Sequence, residues 1–461
     1  MLTKYRQSIF WLFLITFVCL RAFFFEKIST KALYDFDEAR YAEIAKNVIL
    51  SQQIFIPLAG GPDDPQSLNF KISDQLSLHP YFWKPPLHTL VIALNFRLFG
   101  INEFSVRLSS LFFALLSLAL VFLISQKLFP KNSKTPYLSV LFLASSNDFS
   151  LLSSQGLAET QLLFFSLLSL CFLLQKHSYK NLFLSALFLS LAFLTKSFAT
   201  FWLFPLSLYL FFKNKGSLKK IIFYYLSFLA LTLPWHVFMY LKFGQDFLTG
   251  YVFNNTISRA SGQQQNIAPV YWYLKYALWQ WKYILIPLIL IPFSLSKIKK
   301  PQLKNLLFLL LWSLLIFIPY SLFKSKVWWY IFPFWIPFLI IISFFVETRL
   351  KHFSTKLTLC LLIPLILLIN FHSLKQTQTR IDYNLGIKKI AQTTSERISN
   401  LSVFFIPYET PLFYLNSQSI DNQINDKTQF VITNIDYLNK LNPQQWQIVN
   451  QQEKTYLLKK I

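Results

Sequence analysis

The amino-acid sequence predicts an all-α polytopic membrane protein with about eleven transmembrane helices and a small C-terminal α/β domain outside the bilayer. Three observations predict it. Of the 461 residues, 54% are hydrophobic and only 14% are charged, against roughly 25% charged in a typical soluble domain. The apolar residues gather into successive runs, and the basic residues sit in short stretches between those runs. So much apolar surface cannot hide in one water-soluble core, and lipid is the solvent that accommodates it.

The runs are 8–25, 105–126, 136–153, 160–175, 182–195, 198–212, 221–237, 277–293, 304–322, 328–347 and 356–371. A helix needs about 20 apolar residues to cross the hydrocarbon, so the shorter runs are expected to begin in the interfacial layer. The first follows Lys4 and Arg6 as a secretory signal would, but no small-residue cleavage site follows it. It reads as an uncleaved span. Cys19, Cys171 and Cys360 lie inside apolar runs without paired spacing, which argues against disulfides or thiolate metal ligands.

Net charge is +24. The position of that charge argues for orientation in a membrane and against a nucleic-acid partner. Basic clusters occur at Lys4 and Arg6; at Lys127, Lys131 and Lys134; at Lys176 and Lys180; at Lys213, Lys215, Lys219 and Lys220; at Lys297, Lys299, Lys300 and Lys304; and at Arg349, Lys351 and Lys356. All can lie in the cytoplasm if the chain crosses twice between neighbouring clusters, which eleven crossings achieve. The run 87–99 contains Arg97 and is too short to span, so residues 26–104 form one outside loop with juxtamembrane helices. The other outside segments are 154–160, the turn 196–197, 238–276, 323–327 and the tail. This reading divides the chain into a transmembrane domain, 1–371, and an outside tail, 372–461. In the tail, LSVFFI (401–406) and QFVITN (429–434) read as strands and 385–399 as helix. There is no internal repeat at a fixed period.

The polar residues on the outside face carry the chemistry. YDFDEARYAEIAKNVI (34–49) places Asp35, Asp37 and Glu38 at the start of a helix whose apolar stripe is Tyr41, Ile44, Ala45 and Val48. Asp35 with Glu38 matches a capping box. Three carboxylates beside a membrane can also hold a divalent metal or keep one of their number as a proton acceptor. FWKPPLH (82–88) fixes Lys84 in extended backbone ahead of Pro85 and Pro86, as a phosphate partner or as an interfacial lysine. GLAETQ carries Glu159, TKS carries Lys196, NNTISR carries Arg259, and KSKVWWYIFP carries Lys324, Lys326 and Tyr330. Isolated outward cations run against the positive-inside tendency, and an anionic lipid or substrate explains them; plain solvated loop charge is the alternative for each.

Taken in order, YDFDEARYAEIA, FWKPPLHTLVIALNFRLFG with NEFSVRLSS, GLAETQLLFF, LAFLTKS, LPWHVFMYLKFG and SKVWWYIFPFWIP resemble the bacterial protein-mannosyltransferase-like family, which includes the lipid A aminoarabinose transferases. The resemblance covers about residues 30–340. It implies the GT-C glycosyltransferase fold and transfer of a sugar from a polyprenyl phosphate to a lipid, glycan or protein acceptor on the periplasmic face of the bacterial inner membrane. It implies that Asp37 is the catalytic acid-base residue with Glu38 beside it, and that Glu159 takes the place of the second-loop carboxylate. Lys84, Arg259 and Tyr330 would bind the donor phosphate together with Lys326, while Arg40 and Tyr41 would shape the site. The chain departs from the pattern at Trp83, at Trp328 and Trp329, at Ser197 where glycine is usual, and at Ser153–Gln155 where an arginine is common. A flippase of polyprenyl-linked sugars and a non-catalytic lipid-binding relative are the rival readings.

Overall fold

The computed structural model describes residues 2–60, 70–73, 76–130, 133–263, 266–294, 298–350, 383–394, 398, 400–407, 409–415, 420–421 and 423–461. The expected run 356–371 and the expected domain boundary at 371/372 lie outside these. The chain falls into two compact units. One comprises residues 1–26, 110–153 and 158–378; the other gathers 27–109, 154–157 and 379–461.

The first unit is helical. Among the described residues, six helices are long and apolar enough to cross a bilayer: Gln7–Phe25, Glu103–Leu128, Tyr179–Thr200, Leu218–Ser261, Lys300–Leu322 and Trp328–Arg349. A seventh is obtained if Asn147–Ser154 and Glu159–Leu173, which meet at 107°, count as one broken span. This corrects the count of about eleven. The run 136–153 is two helices, Thr135–Ser145 and Asn147–Ser154, divided at Ser146. The run 277–293 is cut into short turns around Pro287 and Pro292. Leu203–Lys213 has only 11 residues, about 16 Å of rise against a hydrocarbon core of roughly 30 Å.

Polar side chains fix these short pieces. The helix Thr135–Ser145 is held at both ends. Glu347 accepts from the Lys134 and Thr135 amides at 2.9 Å each, at its N-terminus. The Arg21 guanidinium donates to the Ala144 and Ser145 carbonyls, at 3.2 and 3.1 Å, at its C-terminus. Anion at the first turn and cation at the last is the arrangement the helix dipole favours. Trp328–Arg349 is mostly buried by the rest of the chain, whereas Leu218–Ser261 is mostly exposed.

The second unit combines the first loop with the tail. In the loop, helix Asp37–Ser51 packs on helix Leu87–Phe99, and Leu58–Ala59, Leu76–Pro80 and Phe70–Ser73 form a small antiparallel sheet in that order. The expected stripe Tyr41, Ile44, Ala45 and Val48 is buried throughout. In the tail, Leu401–Val403 and Phe430–Asn434 form where strands are expected and pair in parallel. They are the centre of a five-stranded sheet completed by Ile420–Asp421, Thr455–Lys460 and Trp446–Gln452. Strand alternation supplies two cores: Phe430 and Ile432 face Ile387, Ile390 and Leu401, while Val431 faces Leu441, Trp446 and Leu458. The helix expected at 385–399 runs from Tyr383 to Thr393.

Candidate functional site

In the second unit, helix Asp37–Ser51 starts from an abrupt turn. Phe36 has φ 63° and ψ −118°, a conformation costing on the order of 1–3 kcal/mol for a residue with a side chain. Its ring stands 62% exposed. Glu38 braces the turn. Its Oε1 accepts from Arg107 Nε at 2.8 Å and from the Gly156 amide at 2.7 Å, and its Oε2 from the Tyr34 amide at 2.7 Å and an Arg107 terminal nitrogen at 3.0 Å. Arg107 also donates to the carbonyls of Ile28, Lys31 and Ala32 at 3.2, 2.8 and 2.9 Å. Both side chains of this ion pair are 1% exposed, so each depends on the other for its charge.

The capping box does not form. No side chain caps the helix start, and Asp35 instead accepts from the Thr410 hydroxyl at 2.6 Å. Asp37 differs from its neighbours. It is the first residue of the helix and half-buried, and its carboxylate has no hydrogen bond or ion pair with any described residue. A carboxylate fixed on a rigid turn with its oxygens uncommitted is suited to accept a proton.

The surrounding residues shape this turn. Arg40 donates to the Gly60 carbonyl at 2.8 Å and pairs with Glu43 at 3.5 Å and Glu409 at 3.7 Å. Tyr41 meets the His88 ring edge-on at 5.0 Å, and His88 Nε2 lies 3.1 Å from the Gly156 carbonyl. Lys84 is buried just ahead of helix Leu87–Phe99, whose N-cap is Pro86. Gly156 has no room for a side chain, since a Cβ would stand 2.3 Å from Val106 Cγ1. That close approach is what lets its amide reach Glu38.

The first unit brings together Glu159, Lys196, Arg259 and Tyr330. Glu159 opens helix Glu159–Leu173 and forms a buried ion pair with Lys196, from the last turn of Tyr179–Lys196. The Lys196 ammonium also lies 5.2 Å from the centre of the Tyr330 ring. Tyr330 receives a hydrogen bond from Arg259, whose guanidinium carbon is 5.8 Å from the same ring. Backbone pairing makes the meeting possible: the Ser325 amide donates to the Arg259 carbonyl at 3.1 Å, and Ala268 to Lys324 at 3.1 Å. Lys326 is buried with its ammonium turned to the carbonyls of Ser321 and Phe323, and Lys324 is exposed.

Beneath Lys196, Ser197 has φ 38°, which accounts for glycine being usual at this place. Here the serine is tied down: Tyr251 donates to its hydroxyl at 2.7 Å and in turn lies 2.7 Å from His236 Nε2. Sequence reasoning did not single out Tyr251, His236 or Arg107. For Arg107 a signal existed, an arginine in the first turns of a long apolar run, which demands a buried partner. Tyr251 and His236 gave none.

Among the described residues no group of three or more His, Cys, Asp or Glu side chains could hold an ion. Asp35 and Glu38 are turned to Thr410 and Arg107.

A family model described as dolichyl-phosphate-mannose-protein mannosyltransferase matches residues 83–240. The undecaprenyl phosphate-alpha-4-amino-4-deoxy-L-arabinose arabinosyl transferase of Wigglesworthia glossinidia brevipalpis is 26% identical over 355 residues, 74% of this chain and 59% of that protein. A transferase of the same description from Pseudomonas fluorescens is 25% identical over 361 residues, 75% of this chain and 62% of its own length. The chain thus spans about three fifths of the length of these curated relatives. Among solved structures, ArnT from Cupriavidus metallidurans bound to undecaprenyl phosphate superposes with a TM-score of 0.72 at 14% identity, covering 97% of each chain. Its apo form gives 0.71, covering 98% of each. Agreement over the whole of both chains establishes a common fold.

Proposed function

We propose that this chain, a relative of the ArnT- and mannosyltransferase-like proteins with their GT-C fold, is a glycosyltransferase that moves a sugar from a polyprenyl phosphate to a lipid, glycan or protein acceptor. The observation that carries the reading is the Asp37 turn: a strained, ion-pair-braced corner presenting one uncommitted carboxylate. In this reaction the bond between the sugar's anomeric carbon and the phosphate oxygen breaks as the acceptor hydroxyl oxygen bonds to that carbon. Inversion follows from attack opposite the leaving group. The hydroxyl proton passes to Asp37, a general-base contribution of roughly 10²–10⁴-fold. Charge gathers on the departing phosphate, and fixed cations stabilise it.

Arg259 and Tyr330 suit that phosphate, because the tyrosine ring holds the guanidinium beside it. Lys84 is proposed for the same part. Glu38 and Lys326, given their partners, organise the backbone around the reacting groups; Arg40 and Tyr41 fix the helix behind Asp37. Glu159 sets the Lys196 ammonium through their ion pair.

The membrane in question is the bacterial inner membrane, with Asp37 and the tail on the periplasmic side. The six long helices alone would leave Lys213–Lys220 on the opposite side from Lys127. The charge rule therefore supports a return crossing by Leu203–Lys213.

The full chain in vesicles, given radiolabelled polyprenyl-phosphate sugar and an envelope extract as acceptor, should transfer label to the extract. Label that crosses the bilayer still on its lipid, or that only remains bound to the protein, would overturn the reading.

A further inference from the structure

Contacts of the tail within the second unit converge on the residues that precede Asp37. The short helix Glu409–Tyr414 supplies most of them. The buried Thr410 hydroxyl donates to Asp35 at 2.6 Å. The Tyr414 hydroxyl accepts from the Leu33 amide at 3.0 Å and donates to Glu103 at 2.8 Å. Asn384 donates to the Leu33 carbonyl at 2.7 Å, and Lys388 pairs with Glu103 at 2.7 Å while donating to the Thr30 carbonyl at 3.0 Å. Beyond the turn, Lys46 donates to the Phe413 carbonyl at 3.0 Å and Arg40 pairs with Glu409 at 3.7 Å. All of these pairs but Lys388 with Glu103 are separated by more than 300 residues of chain.

Their placement has a physical purpose. Phe36 is held at φ 63°, and a strained residue persists only where its surroundings over-determine it. Glu38 and Arg107 hold the helix side of the turn. The side that enters it, Leu33 to Asp35, is held from the tail: both polar atoms of the Leu33 backbone and one Asp35 oxygen end there. Burial and then Glu103 raise the Tyr414 hydroxyl above its ordinary value, so it stays protonated and can serve both partners over the whole working range of pH. Released from the tail, the entering segment can relax at Phe36, and relaxation there rotates the next residue, Asp37.

We propose that helix Glu409–Tyr414 is a positioning element for sugar transfer, in which Thr410 and Tyr414 clamp the Leu33–Asp35 segment so that the strained turn holds Asp37 in place. Thr410 and Tyr414 are positioning residues and touch no reacting atom. The proposal rests on the reading of Asp37 as the proton acceptor.

Two variants of the full-length chain test it. Thr410→Val keeps the shape and loses the hydrogen bond to Asp35; Tyr414→Phe keeps the ring and loses the bonds to Leu33 and Glu103. Each should lower kcat by about 10- to 100-fold, the scale of a small misplacement, with KM for the polyprenyl-phosphate sugar within about twofold of the parent. Thr410→Ser should restore the rate. Amide hydrogen exchange over residues 33–38 should quicken in both variants and return to the parental rate in Thr410→Ser. Unchanged exchange and kcat in both variants would overturn the proposal, as would a loss confined to KM. The exchange arm needs no turnover: if the parent transfers no sugar but exchange quickens as expected, the clamp stands and the transferase reading fails.

Discussion

Glu38 and Asp37 are adjacent in sequence and opposite in circumstance. Four donors surround Glu38, while Asp37 meets no described partner. The contrast separates stability from chemistry at two positions. Asp37→Asn should lower transfer by about 10²–10⁴-fold and move the melting temperature by no more than about 2 °C, since no hydrogen bond or ion pair with a described residue is lost. A rate assay beside a melt read by size-exclusion recovery checks both halves, and substantial residual activity would remove Asp37 from the role. Arg107→Met should instead unfold the loop, because it leaves Glu38 buried and uncompensated at a cost of about 3–5 kcal/mol. The double variant Glu38→Gln/Arg107→Met should cost less than the two single changes added together, as expected for a buried pair whose members are costly mainly when alone.

Helix Asp37–Ser51 carries a second buried acid on its inner face, and that one reports on the helix as an element. Glu43 accepts from the Gly60 amide at 2.9 Å and from Asn47, beside Arg40. Burial nevertheless dominates and raises its proton affinity; Arg40, the Gly60 amide, Asn47 and Lys46 offset only part of this. A raised folded pKa means that the folded chain binds the proton more tightly than the unfolded chain does. Stability from this source is therefore complete below the unfolded value, about 4.3, and is lost as pH rises through the folded value. Glu43→Gln cannot titrate and should flatten that decline. Melting temperatures of parent and variant, taken in steps upward from about pH 4, check it; parallel curves would assign the decline to another group.

At the scale of the molecule, what the sequence showed and what it hid divide by the reach of the interactions. Long apolar runs such as 304–322 and 328–347 are helices at nearly the same limits, Lys300–Leu322 and Phe332–Leu350, because continuous hydrophobicity is a local signal. The run 136–153 hid its break, since Asp148 sits buried there by bonding Tyr276 and Trp281 at 2.7 and 2.8 Å, residues far along the chain. The site divides the same way. Residue type marked the acid cluster at 35–38, but which acid is uncommitted depends on Arg107 and Thr410, and no local pattern carries that. Orientation is directly measurable. Ser197–Lys213 runs through a 3-10 turn and a short helix, and its 17 residues rise about 25 Å at helical pitch, close to the hydrocarbon thickness of roughly 30 Å. If it returns across the bilayer, Asn214 is cytoplasmic and Ser261 periplasmic; if only the six long helices cross, both assignments reverse. In a background with Cys19, Cys171 and Cys360 replaced, an impermeant maleimide applied from the periplasmic side should label Ser261→Cys and spare Asn214→Cys. The opposite pattern would limit the crossings to the long helices and detach the orientation from the charge rule.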